Sequence, residues 1–116
     1  RTQFGVGAFL AGVRKGDEIL TITKVGTGLS DEQFRELKRR LDSLVVREKP
    51  KNYVVDKKLE PDVWVEPGLV VELAADEVTK SPTHSAGVAL RFPRLIKFRD
   101  DKSVKEATTV EEVKKI

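Results

Sequence analysis

The sequence predicts a mainly β domain: an OB-fold, a five-stranded Greek-key barrel, with one main helix and a short C-terminal helix. Three observations lead there. Short apolar runs of strand length are punctuated by Gly and Pro along most of the chain. One amphipathic segment, residues 30–44, carries a complete helix start. A second start, Thr109-Val110-Glu111-Glu112, stands near the C-terminus. An SH3-like barrel would use a similar set of strands, and the pattern alone leaves it open as the competitor.

Residues 6–13 are apolar, with Gly5, Gly7 and Gly12 in and around them, and read as a first strand with Gly at points of close approach or bending. Arg14-Lys15-Gly16-Asp17 is a turn. Residues 18–25 read as a second strand, with Leu20, Ile22 and Lys24 on one face and Ile19, Thr21, Thr23 and Val25 on the other. Gly26-Thr27-Gly28 ends it. Ser30 then offers an N-cap and Gln33 completes a capping box. Phe34, Leu37, Leu41 and Leu44 follow at helical spacing, and Arg39 and Arg40 read as a solvated face. Residues 45–62, with two prolines and many charges, read as an extended connection. Strands are expected at 63–65 and 69–75, interrupted by Pro67-Gly68, and at 88–92 and 95–99, broken by Pro93. Residues 81–85 form a loop. Trp64 reads as structural, because Val63 and Val65 give it no basic frame for base stacking.

The 116 residues are enough for one domain with a modest core. Hydrophobic residues make up 39% and charged residues 35%, which excludes a chain disordered by composition. No apolar run approaches the roughly 20 residues of a membrane span, and no signal peptide is evident. With no cysteine, disulfides and thiolate metal sites are excluded. The single histidine, His84, reads as a loop residue without a chemical task, and no spacing supports a metal site. The chain opens on Arg1 rather than Met, so residues 1–116 are expected to be a domain cut from a longer protein.

The net charge is only +3 but unevenly spread. Residues 35–58 hold nine Lys/Arg against four Asp/Glu, residues 59–77 six Asp/Glu and no Lys/Arg, and residues 91–105 six Lys/Arg against two Asp. A polarised surface is expected. The last block is the most informative. In Arg91-Phe92-Pro93-Arg94-Leu95-Ile96-Lys97-Phe98-Arg99-Asp100-Asp101-Lys102, a strand is expected to bury Ile96 and Phe98 while holding Lys97 and Arg99 in water. An exposed ion pair adds only about 0–1 kcal/mol to stability, whereas guanidinium groups grip phosphate in two-pronged fashion. The cluster therefore suits a surface that meets phosphate.

Several stretches carry a resemblance. Residues 4–44, with Val6-Gly7-Ala8-Phe9-Leu10, Lys24-Val25-Gly26-Thr27-Gly28 and the following helix, resemble the start of the C-terminal OB-fold domain of ATP-dependent DNA ligases, nearest the archaeal and eukaryotic replicative type. Val63-Trp64-Val65-Glu66-Pro67, Glu77-Val78-Thr79-Lys80-Ser81-Pro82 and Leu90-Arg91-Phe92-Pro93-Arg94 continue the match in order. Arg99-Asp100-Asp101-Lys102 resembles the Arg-x-Asp-Lys core of motif VI. The resemblance implies a nick-sealing enzyme that uses ATP and magnesium, whose upstream adenylation domain carries a Lys-x-Asp-Gly motif. That motif is absent here, so this chain alone is expected to bind no cofactor and to be inactive.

The resemblance further implies that Arg99 and Lys102 stabilise ATP phosphate charge as pyrophosphate leaves, with Asp101 as the motif's acid. Asp100 stands at the variable position and receives no role. Arg91, Phe92 and Arg94 are implied to contact DNA, with Phe92 in the minor groove and a core phenylalanine as the alternative. Lys24 is a candidate phosphate contact, or else an ordinary exposed lysine. Implied partners are nicked duplex DNA, the enzyme's own adenylation domain and, through the full enzyme, a sliding clamp. A monomer is expected, without a membrane, in the cytoplasm at a prokaryotic nucleoid or in a eukaryotic nucleus. Two other readings compete: a stand-alone OB module for single-stranded nucleic acid, disfavoured by only 6% aromatic residues, and the equivalent domain of an RNA ligase or capping enzyme.

Overall fold

The computed structural model describes residues 8–26 and 29–115. Strands β1 (Phe9–Lys15) and β2 (Glu18–Val25) form an antiparallel hairpin closed by Gly16 and Asp17. Gly16 has φ +60°, as a tight hairpin turn with Gly in first place requires. Of the first expected strand, Val6 and Gly7 lie outside the described residues, as do Gly5 and Thr27-Gly28. Gly12 justifies its place: a Cβ there would meet Ile19 Cγ2 at 2.7 Å and the Leu20 carbonyl oxygen at 3.0 Å.

Helix α1 (Asp31–Asp42) follows, capped as expected, with the Ser30 hydroxyl accepting from the Gln33 N–H and the Gln33 side chain answering the Ser30 N–H. Leu37 is its fully buried residue. The connection expected at 45–62 holds two short strands, β3 (Val45–Val46) and β4 (Tyr53–Val54), and a single 3-10 turn at Lys57–Leu59. Strand β5 (Trp64–Val65) pairs with β3, and β4 runs parallel to β2. Thus β2 is flanked on both edges. Its Leu20, Thr21, Ile22 and Thr23 are all buried, so neither face is a polar one. Trp64 packs on Tyr53 with ring centres 6.5 Å apart, in agreement with its structural reading.

Strands β6 (Val71–Ala74), β7 (Glu77–Lys80), β8 (Val88–Arg91) and β9 (Arg94–Phe98) complete the β structure. They pair β6 with β9 and β7 with β8, both antiparallel. The chain therefore changes sheet at Phe92-Pro93, between β8 and β9. Helix α2 (Val110–Lys114) closes the chain with the expected Thr109–Glu112 capping box. Arg14 ties it to β1 through the carbonyls of Ala107 and Thr108. The main core gathers Val13, Leu20, Ile22, Ala86, Val110 and Val113, edged by Ala11, Val78, Val88 and Leu90.

The class is as expected, mainly β with one main and one short helix. The strands, however, are nine short pieces in four small sheets, and no ladder closes them into a barrel among the described residues. The burial expected on β9 is corrected. Its register with β6 steps from Lys97 to Leu95 across Glu72 and Leu73, which leaves Ile96 as the extra residue of a bulge. The alternation slips by one there. Leu95 is buried, Phe98 is half-buried, and Ile96 stands 47% exposed.

Candidate functional site

The basic residues of the last block fall into two clusters, one at each end of β9. The first surrounds the sheet crossing. Phe92 has φ +53° and is 62% exposed. A bulky residue in the left-handed region is unusual, and the restriction imposed by the following Pro93 makes it more so. Such strain, about 1–3 kcal/mol, persists where the surroundings over-determine it. Here they do: Arg94 Nη1 donates to the Phe92 carbonyl and to Asp76 Oδ1, both at 3.0 Å. The Asp76 N–H donates to the Arg91 carbonyl at 2.9 Å. Arg91 reaches Glu77 at 3.1 Å, and its guanidinium lies 5.3 Å from the Phe92 ring centre. The outcome is an outward aromatic ring beside two half-exposed guanidinium groups, so the core alternative for Phe92 is not the one realised.

The second cluster is the turn after β9. The Arg99 N–H continues the β6–β9 ladder to the Val70 carbonyl, and the Lys102 N–H closes the turn on the Arg99 carbonyl at 3.2 Å. Arg99 meets Asp101 with two prongs, Nε to Oδ1 at 3.0 Å and Nη2 to Oδ2 at 2.9 Å. Its Nη1 reaches Glu72 at 3.0 Å. Of five guanidinium N–H donors, three are engaged and two remain for an anion. The Arg99 hydrogen bonds hold the Asp101 carboxyl down to about 2. Arg99 itself is shifted upward, first by Asp101, and stays cationic. Lys102 is exposed and its ammonium has no ion pair among the described residues.

Sequence reading missed three features of this arrangement. Arg40, read as part of a solvated face, is held on three sides. It meets Asp100 Oδ1 at 2.5 Å and Oδ2 at 3.1 Å, Glu36 Oε2 at 2.5 Å, and the Phe98 ring, whose centre is 4.5 Å away. Asp100, given no role, is that partner, and Arg40 holds its carboxyl below the ordinary range. Arg39, 70% exposed and paired among the described residues with Glu36 alone, does lie on a solvated face. The third is a local offset of charge between the last two blocks. Glu72, Asp76 and Glu77 of the acidic block pair with Arg99, Arg94 and Arg91 of the basic one. Adjacent antiparallel strands fold the two blocks onto each other, and equal counts of opposite charge were the available signal.

The two clusters are not one site. With the bulge at Ile96, β9 advances four register steps from Arg94 to Arg99, opposite Ala74 to Val70, which at about 3.3 Å each separates them by roughly 13 Å. Lys24 is exposed on β2, and no hydrogen bond or ion pair joins its side chain to either cluster among the described residues. His84 bonds Ser81 Oγ through Nδ1 at 2.7 Å and braces its loop, while burial lowers its pKa. No group of three His, Asp or Glu able to hold a metal ion occurs among the described residues.

Residues 2–102 match the family of the ATP dependent DNA ligase C terminal region. The chain belongs to this family. It is 45% identical over 97% of its length to a probable DNA ligase of Dictyoglomus turgidum, of which it covers 21%. It is 39% identical over 95% of its length to DNA ligase 1 of Methanosarcina barkeri, covering 22% of that protein. Among solved structures, the ligase domain of M. tuberculosis LigD superposes with a TM-score of 0.69 at 28% identity, over 90% of this chain and 33% of that one. A mycobacterial DNA ligase D complexed with ATP and MES does so with a TM-score of 0.71 at 29% identity, over 92% and 34%. The likeness is consistent with the expected OB-fold. The chain spans about a fifth of the length of these curated relatives. This DNA ligase C-terminal region carries Arg91-Phe92-Pro93-Arg94 at the start of β9 and Arg99-Asp100-Asp101-Lys102 after its end.

Proposed function

We propose that this DNA ligase region serves a nick-sealing enzyme in two ways, one at each end of β9. At the Arg99 turn it supplies motif VI to ATP. An upstream lysine of the full enzyme attacks the α-phosphorus, the N–P bond forms, and the bond to the pyrophosphate oxygen breaks. Negative charge then grows on the leaving pyrophosphate. Arg99, with two N–H donors in reserve, and Lys102 stabilise that charge. Asp101 keeps the Arg99 fork oriented while it does so. At the Phe92 turn the domain meets the minor groove of nicked duplex, with Arg91 and Arg94 toward phosphate and Lys24 as a further contact. Turning the domain presents one end and then the other.

The observation that carries this reading is the pair of basic clusters on opposite ends of one strand, in a chain of this family. Magnesium, which the family implies, does not fit the carboxylates here. Asp100 and Asp101 are each gripped by a guanidinium group, and no step of the reading runs through the ion. The sealed product, the adenylation-domain partner and a place at the nucleoid of a prokaryote belong to the same proposal.

The test uses the full-length enzyme and two separate assays, self-adenylation from ATP and sealing of a nick that already carries AMP. Arg99→Ala and Lys102→Ala are expected to slow self-adenylation about 100-fold and pre-adenylated sealing far less, as for loss of a group stabilising transition-state charge. Phe92→Ala is expected to reverse that pattern. Equal loss in both assays for Arg99→Ala would remove the assignment of the turn to ATP.

A further inference from the structure

The Arg99 turn hangs from the end of β9 by backbone bonds, and its two central residues are Asp100 and Asp101. Asp101 folds back on Arg99 and so provides no anchor outside the turn. Asp100 does. Its carboxylate, on a side chain 71% exposed, takes both prongs of Arg40, a residue 60 positions away on α1. Arg40 in turn is only 23% exposed. Glu36, one helical turn before it, fixes its Nε, and the face of its guanidinium lies over Phe98 on β9. An exposed ion pair between two free side chains would hold little in place. A planar fork already immobilised by a carboxylate and an aromatic ring loses little further freedom on binding Asp100.

We propose that Arg40 is a positioning residue for the adenylation step: through Asp100 it fixes the turn that aims Arg99 and Lys102. Arg40 touches no reacting atom. Its fork pins the turn one residue from Arg99 and two from Lys102, so loosening it spreads both cations over several orientations. Positioning errors of about 1 Å lower rates without removing any reacting group. Asp100 thereby gains a task at the position the motif leaves variable, and α1 gains a link to the reaction. Gln33 Nε2, donating to the Leu95 carbonyl at 3.3 Å, ties the start of the same helix to the other end of β9. Helix α1 therefore braces the strand at two points.

This inference rests on the assignment of Arg99 and Lys102 to ATP, and the experiment separates the two. Self-adenylation of the full-length enzyme is measured against ATP concentration for Arg40→Ala, Asp100→Asn, the double variant and Arg99→Ala, with sealing of pre-adenylated nicks alongside. Arg40→Ala and Asp100→Asn are each expected to lower the maximal adenylation rate about tenfold, with KM for ATP within about twofold and pre-adenylated sealing unchanged. The double variant is expected to lose no more than either single one, since both remove one interaction. Arg40→Lys keeps the charge without the planar fork and is expected to recover only part of the rate. Multiplying losses in the double variant, or an unchanged rate in Asp100→Asn, would overturn the positioning role. Asp100 is exposed, so its variant carries the test even if Arg40→Ala unfolds α1. If Arg99→Ala itself spares adenylation, the underlying assignment falls, and the role of Arg40 falls with it.

Discussion

Phe92 combines two properties that local rules disfavour: a large side chain at φ +53° and a proline immediately after it. Its ring is mostly in water, so little burial compensates. Arg94, bonded to both the Phe92 carbonyl and Asp76, holds the conformation instead. Phe92→Gly therefore carries a prediction of opposite signs. Glycine accepts the left-handed region freely, relieving about 1–3 kcal/mol of strain, against about 0.4–1 kcal/mol of added freedom in the unfolded chain. The variant is expected to melt at the same or a higher temperature while binding nicked duplex more weakly. A lower melting temperature would show that the ring is a packing residue after all. The break in the strand was legible at Pro93, whereas the sequence left Phe92 between core and surface. The φ angle was not legible, because it follows from an arginine and an aspartate that meet only when β6 and β9 pair.

At the scale of elements, legibility followed the range of the interactions. Both capping boxes are contained in four consecutive residues, so Ser30–Gln33 and Thr109–Glu112 could be read directly, and both form. Gly12 was readable for a similar reason, since its partners lie across a tight hairpin. The bulge at Ile96 was not. Strict alternation assigns Ile96 and Phe98 to one face, and only the register against β6 shows the extra residue. The Arg40–Asp100 pair spans 60 positions and leaves no periodic trace. The caps themselves have a measurable consequence. Ser30→Ala and Thr109→Ala are each expected to cost about 1 kcal/mol, read as a lower urea midpoint at unchanged m. A changed m would mean instead that the helix end governs how compactly the chain unfolds. Ser30→Ala also loosens the helix that carries Arg40, so in the full enzyme it should slow adenylation slightly, whereas Thr109→Ala should not.

Across the whole molecule, whose net charge is +3, Glu77, Asp76 and Glu72 pair strand against strand with Arg91, Arg94 and Arg99 and offset their charge locally. On the proposed DNA-binding role, phosphates approaching Arg91 and Arg94 would share them with Glu77 and Asp76, so steering by the bare surface would be weak and contact local. Such locality would make the two ends of β9 separable in one experiment. Each phosphate contact contributes about 0.9 to the slope of log affinity against log salt concentration. For binding of nicked duplex by the full-length enzyme, Arg91→Ala with Arg94→Ala is expected to lower that slope by up to about 2. Arg99→Ala, roughly 13 Å away along the strand, is expected to leave it unchanged in the DNA-bound orientation. A slope that falls equally for Arg99→Ala would mean that both ends face DNA together. The domain would then have no second face to reserve for ATP, and the alternation between its two ends would have to be abandoned.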